Sequence, residues 1–516
     1  MKAYFLTMVA GLGLASVAMA EDPKSWFNAG RETISEFQAL QPITAGKAKR
    51  VILFIGDGMG ISTVTAARIL EGQLRGKKGE ENFLTFETLP YTALAKTYNT
   101  NQQTPDSAGT MTAMMTGIKT KAGVISVDQT VTRADCASAK GKQLTTLLEY
   151  AERAGYATGV VTTARITHAT PAATYAHVPE RNWEDDHDLP DEAKQNGCKD
   201  IARQLLEFPY GNGIEVALGG GRRSFLPRTQ NDPENTEKTG ERDDGRDLTS
   251  EWIGKYPNAA YVWNKAQFDA IDTNKVDHLL GLFNRSHMEY EHDRPEDIGG
   301  EPSLSAMTEK AIQILDKNPK GFFLMVESGR IDHAHHAGNA FRALTDTIEL
   351  AKAVKKAREM THPSDTLIIV TADHSHVFTI AGYPTRGNPI LGKVIGNDAS
   401  GNPKTEPALA EDGKPYTTLS YANGRGFAFL ETGGDTRYDE DPVAGRENHD
   451  LSTIDTTDEG FHQEALVPLS SETHAAEDVA IYAEGPGAHL LHGVLEQNVI
   501  FHAMWAAAVG HAPPEK

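Results

Sequence analysis

Val51-Ile52-Leu53-Phe54-Ile55-Gly56-Asp57-Gly58-Met59-Gly60 is the stretch that decides how this chain of 516 residues folds. Five consecutive apolar residues leave no polar face, so the segment reads as a strand buried on both sides, as strands in parallel sheets are. It breaks at a glycine-rich turn that carries one acid, Asp57, and a helical pattern starts near Ser62. The same succession recurs downstream. A helix over 144–154 precedes a strand over 158–162, and a strand over 215–218 runs into Gly219-Gly220-Gly221. A helix over 305–315 precedes a strand over 322–326, and a helix over 340–360 precedes a strand over 366–370. This alternation predicts an α/β fold: a doubly wound, mostly parallel sheet with helices on both faces. Two stretches interrupt it. Residues 231–246 are polar and charged, which predicts a surface loop. Residues from about 382 to 462 are rich in Gly, Pro, Asn and Asp, which predicts an insertion on a single core spanning 21–516.

The ends and the composition bound the setting. Residues 1–20 carry Lys2, an apolar run over 5–17 and the small-residue ending Ala18-Met19-Ala20, the layout of a secretory signal peptide cleaved after Ala20. The run is too short to span a bilayer comfortably, so no stable membrane anchor is expected, and the mature chain should be periplasmic or secreted. A formal net charge of -21 argues against a nucleic-acid-binding surface. That charge fits either plain solubility or salty surroundings, and composition does not separate the two. An acidic chain that handles anions needs local positive charge, which bound metal ions supply. Cys136 and Cys198 are the only cysteines; in an exported chain an isolated pair forms one disulfide more often than two free thiols.

The chemistry collects at strand ends. Asp57, Glu327, and Asp373 with His374 each follow a predicted strand, and in open parallel sheets ligands bind just beyond the carboxyl ends of the strands. Asp332 and His336 stand four apart and share one face if their segment is helical; His335 reads as a residue of a solvated polar turn. Mixed His and carboxylate sets suit zinc, whereas oxygen sets suit magnesium. Thr104-Pro105-Asp106-Ser107-Ala108-Gly109-Thr110 opens a helical run through Met115, placing Ser107 at a helix N-terminus that favours phosphate. Taken alone, Ser107 or Asp106 would be read as a helix cap. A zinc ion on Asp57, Asp373 and His374 changes that, because a serine hydroxyl is a poor nucleophile without a base or a cation. A second ion on Asp332, His336 and one further histidine would then stabilise the leaving oxygen.

Several motifs in order carry a resemblance: VILFIGDGMG at 51–60, TPDSAGT at 104–110, VVTTARITHATPAATYAH at 160–177, ESGRIDHAHH at 327–336, TADHSH at 371–376 and SETHAAEDV at 471–479. Together they make the chain similar to the alkaline phosphatase family over nearly all of its mature length. The resemblance implies hydrolysis of small phosphate monoesters at alkaline pH through a phosphorylated Ser107, with two zinc ions and one magnesium ion. It implies Asp57, Asp373 and His374 for one zinc; Asp332, His336 and His474 for the other; and Asp57, Thr170 and Glu327 for magnesium. Arg181 matches the arginine that clamps phosphate, with Asp106 beside the nucleophile. His168 and His333 occupy two positions behind the ligands that vary within the family, and histidine at both resembles the animal and some marine bacterial enzymes. Cys136 and Cys198 match a bridged pair in that branch. The same branch often carries a fourth metal, calcium; Glu234, Glu301 and the Phe283 carbonyl fall near its positions, with Asn284 where a carboxylate is expected. The 382–462 insertion matches a crown at a homodimer interface. A sulfatase would need a formylglycine motif, and none surrounds Ser107.

Overall fold

Ile52, Leu53, Phe54 and Ile55 are wholly buried at the centre of a ten-stranded sheet in the computed structural model, which describes residues 46–426, 428–429 and 450–509. The expected leader at 1–20 lies outside the described residues. The sheet comprises β1 (Arg50–Gly56), β2 (Tyr91–Lys96), β3 (Ala157–Arg165), β4 (Val216–Gly220), β5 (Ala259–Val262), β6 (His278–Leu282), β7 (Phe322–Ser328) and β8 (Thr366–Ala372). Two later strands complete it, β11 (Val479–Glu484) and β12 (Gly493–Glu496), while β9 (Ser375–His376) and β10 (His474–Ala475) form a separate antiparallel pair. The order is β12-β2-β11-β8-β1-β7-β3-β4-β6-β5. Only β11 runs against the rest, pairing antiparallel with both β8 and β2. The α/β expectation holds, and the middle strands are apolar throughout because helices cover both faces.

Helices α1 (Ile61–Leu74), α4 (Leu304–Leu315) and α6 (Ala340–Met360) pack together, with α4 and α6 against the central strands. Helices α2 (Ser107–Thr116), α3 (Leu147–Arg153) and α7 (Val499–Val509) form a second group, and α5 (Arg330–His336) lies against α6. Each start has a local cause. Thr146 caps α3 through a capping box with Glu149, and Asn339 caps α6. The strand register then levels the loops. Gly56 stands opposite both Ser328 and Ala372, so the residues after β1, β7 and β8 leave the sheet at one height.

Two expectations need correcting. The polar segment 231–246 has no helix or strand, but it is not simply surface: Asp232 and Arg242 are each only 1 % exposed. Arg222 pairs with Asp232, and Arg242 with Asp200, so these charges are desolvated with partners rather than solvated. His335 is also fully buried, bonded between Thr63 Oγ1 (2.9 Å) and Tyr421 Oη (2.8 Å). Within 382–462, Leu419–Gly424 is a strand that joins Phe378–Ile380 and Ala465–Pro468, on either side of the segment, in a three-stranded sheet. Cys136 and Cys198 form a disulfide.

Candidate active site

Ser107 is the first residue of α2, and its Oγ lies 3.0 Å from His374 Nε2 and 3.5 Å from Asp57 Oδ1. Asp106, the residue before it, is a helix cap and more. One carboxylate oxygen accepts the Gly109 N–H (3.1 Å) and the Asn99 amide (2.8 Å). The other accepts the Gly123 N–H (2.9 Å) and Arg181 Nη1 (3.1 Å). Arg181 Nη2 also meets His168 Nε2 at 3.2 Å, so the guanidinium is held from two sides beside the start of α2.

The three levelled strand ends bring the acids together. His374 Nε2 is 3.4 Å from both Asp57 Oδ1 and Asp373 Oδ2. Burial pushes the carboxyls of Asp57, Asp373 and Glu327 up; the Asp373 charge adds to the rise of Asp57 and of Glu327, which reaches about 8, and the Asp332 charge adds to that of Asp373. Gly58 makes the turn possible. Its φ of 69° suits glycine, and a Cβ there would fall 2.3 Å from His376 Nε2.

The second group is set by its hydrogen bonds. His336 Nδ1 must donate to the Glu472 carbonyl (2.6 Å), and His474 Nδ1 to the Pro105 carbonyl (2.8 Å), because a carbonyl only accepts. Both Nε2 atoms then present lone pairs, yet they face each other at 3.1 Å and each lies 3.4 Å from Asp332 Oδ1. Burial raises the Asp332 carboxyl, but the surrounding imidazoles hold it well below the usual carboxylate range.

Lone pairs and buried carboxylate oxygens converging in this way need a cation between them. Asp57 Oδ2, Asp373 Oδ2, Glu327 Oε1 and Thr170 Oγ1 are all buried without a hydrogen-bond partner, as atoms reserved for an ion would be. The donors therefore fit metal ions, and four such clusters assemble here: Asp57, Asp373 and His374; Asp57, His168 and Glu327; Asp332, His374, His376 and His474; His336, His376 and Glu472.

Among the other expected residues, His168 and His333 lie with ring centroids 5.6 Å apart. Burial pushes both imidazoles well below their usual range, and nearby arginines add to the shift. For the fourth metal, the structure brings Asn284 Nδ2 to Glu301 Oε1 (3.0 Å), whereas Glu234 is engaged by Arg222 (2.6 Å). Phe283, next to Asn284 in sequence, is fully buried.

Sequence reasoning gave no role to His376, Glu472, His287 or Arg165. His376 Nε2 lies 2.8 Å from Asp332 Oδ1 and its Nδ1 lies 2.5 Å from Glu472 Oε2. Burial alone would lower this imidazole, but the two carboxylates raise it to about 10. The His287 ring sits 4.0 Å from that of His333 and contacts Arg165, which Glu184 grips through both oxygens. One signal was in the sequence: His376 is the second of two histidines flanking Ser375 just after a core strand.

Comparison with known proteins agrees with the geometry. The alkaline phosphatase family model matches residues 48–509. The chain is 47 % identical to the tissue-nonspecific isozyme of alkaline phosphatase from Gallus gallus, over 99 % of this chain and 94 % of that protein. It is 44 % identical to the alkaline phosphatase of Gadus morhua, over 95 % and 98 %. Among solved structures, alkaline phosphatase from Thermus thermophilus superposes with a TM-score of 0.62 at 23 % identity, covering 92 % of this chain and 94 % of that one. The enzyme from the Antarctic bacterium TAB5 gives 0.58 at 23 %, covering 90 % and 98 %; both show the shared fold. With a family model spanning the whole described core and full-length relatives above 40 % identity, the chain belongs to the alkaline phosphatase family, metal-dependent enzymes that hydrolyse phosphate monoesters.

Proposed function

We propose that the hydrolysis runs through a phosphoserine at Ser107, with two zinc ions and one magnesium ion held around it. The observation that carries this reading is the place of Ser107 Oγ, at the head of α2 and against His374 Nε2 and Asp57 Oδ1. Asp57, Asp373 and His374 would hold one zinc, Asp332, His336 and His474 the other, and Asp57, Thr170 and Glu327 the magnesium. When bound, these cations supply the positive charge that an alkoxide nucleophile and an alkoxide leaving group both need.

The chain's own groups do the rest. The N-terminal end of α2 and the Arg181 fork orient the phosphate, the guanidinium offering two parallel donors to two oxygens. His374 and Asp57 hold the Ser107 oxygen at the head of α2. The Ser107 O–P bond forms as the ester O–P bond breaks, and the alcohol departs with a proton. Water then attacks the phosphoserine, inorganic phosphate leaves, and Ser107 recovers its proton. Positioning and charge stabilisation account for the catalysis.

The setting follows from the same reading. The Cys136–Cys198 disulfide supports export to an oxidising compartment, periplasmic or extracellular. Among the described residues no helix is long and apolar enough to cross a membrane. Residues 382–462 would form a crown on the core, and the exposed Tyr383 and Leu409 within it support a homodimer through it. Calcium at Glu234, Phe283, Asn284 and Glu301 is the remaining element, and it requires Glu234 to leave Arg222.

The test is a trapping experiment. Labelled inorganic phosphate at mildly acid pH should mark Ser107 in the native enzyme and nothing in Ser107→Ala. The variant should also lose at least roughly a thousandfold in kcat. Label on another residue, or a Ser107→Ala enzyme that still turns over, would sink the reading.

A further inference from the structure

We infer that Glu472 is a positioning residue for the Asp332–His336–His474 set, an inference that rests on the metal reading above. Its place in the fold is the argument. The backbone N–H of Glu472 donates to the His336 carbonyl (3.2 Å), and its own carbonyl accepts from His336 Nδ1 (2.6 Å). The end of α5 is therefore clipped to residue 472 through both main-chain groups. The side chain reaches the other way. Oε1 accepts the Val377 N–H (2.9 Å) and Oε2 accepts from His376 Nδ1 (2.5 Å). His376 presents its far nitrogen to Asp332 Oδ1 at 2.8 Å, and in the β9–β10 pair it stands directly opposite His474. One residue thus joins the helix that carries Asp332 and His336 to the two short strands that carry His376 and His474.

Glu472 is 2 % exposed, so its carboxylate is not there to be solvated. A buried carboxylate without partners is costly, and this one has one oxygen on the Val377 N–H and the other on His376, which leads to Asp332. Histidines that bind metals are oriented by whatever accepts their other ring N–H, and removing such a partner typically weakens metal affinity about 10–100-fold. Glu472 does this for His336 with its main-chain carbonyl, which side-chain substitution leaves in place, and for Asp332 with its carboxylate, through His376.

The experiment compares Glu472→Ala and Glu472→Gln with the native full-length enzyme, dialysed against chelator-buffered zinc and counted for metal per chain. Ala removes both side-chain bonds. Gln keeps both contacts, its carbonyl oxygen accepting from Val377 and its amide donating to His376 Nδ1, which reverses that one hydrogen bond and leaves the ring proton on Nε2, towards Asp332. We expect the Ala variant to lose one zinc per chain at free-zinc levels about 10–100-fold higher than the native enzyme does, with the other zinc and the magnesium retained. The Gln variant should stay close to native, and saturating zinc should restore both kcat and Tm to Ala. Native zinc retention in the Ala variant would overturn the proposal, as would parallel loss of every ion, which marks general collapse. Equal loss in Gln and Ala would also overturn it, because charge rather than positioning would then be what Glu472 contributes. A native enzyme that binds no zinc in the same buffers fails differently, removing the metal reading itself.

Discussion

Arg181 faces an Asp106 carboxylate on one side and the His168 ring on the other, at 3.1 and 3.2 Å, which leaves its orientation fixed before any substrate arrives. Pre-organisation of this kind lowers the entropy lost on binding, and a lysine cannot reproduce the planar fork. Arg181→Lys should therefore weaken kcat/KM by roughly 10–100-fold, in line with about 1.5–3 kcal/mol for a charge-assisted hydrogen bond. Steady-state kinetics on p-nitrophenyl phosphate measures it, and a variant within twofold of native would show that the fork is not used. At this scale the sequence was most legible where a ligand follows a core strand, as Asp57, Glu327 and Asp373 do. It was least legible where a partner lies far along the chain. His335 was read as solvated because neither Thr63 nor Tyr421 is near it in sequence, yet both bond to it. Glu472 and His376, 96 residues apart, carried no local signal of their contact.

Between elements, the contact of α3 with β3 and β4 contains a conflict of charge. Glu152, 1 % exposed at the end of α3, meets Glu215 just before β4. Thr158 binds both, its Oγ1 donating to Glu152 Oε1 (2.5 Å) and its N–H to Glu215 Oε2 (2.7 Å). Burial raises the Glu152 carboxyl from 4.5 to about 9, and Glu215 adds to that. A carboxyl raised in the folded state holds a proton that the unfolded chain has released, so stability falls as pH rises between about 4.5 and about 9. Glu152→Gln keeps a hydrogen between the two side chains at every pH. Its Tm should match the native value near pH 5 and exceed it by a few degrees at pH 10; a gap that does not widen with pH, read by scanning calorimetry, would refute the account. Strands of the central sheet were legible because apolar runs without a polar face have few alternatives. The antiparallel β11 was not, since what fixes its direction is pairing with β8 and β2.

On the scale of the whole molecule, the cation clusters draw on β1, β3, β7, β8, α5 and β10, so bound ions tie together segments from Asp57 to His474. Each ion that binds only the folded chain stabilises it by about 2.7 kcal/mol at a hundredfold excess over its Kd. Removing metal with a chelator should lower Tm by several degrees, and adding zinc and magnesium should reverse this; a Tm indifferent to chelation would show that the clusters do not hold ions in the native protein. The place of β11 and β12 in the sheet has a consequence for biosynthesis. Their partner β2 (Tyr91–Lys96) is made early, whereas the strands that flank it, Val479–Glu484 and Gly493–Glu496, follow nearly all the rest of the described core. A chain that has not yet made these strands has an open flank beside β8 and lacks the His474 imidazole. Sheet and site therefore close together, through pairings between residues far apart in sequence whose loop-closure cost must be met before the ligand set is complete.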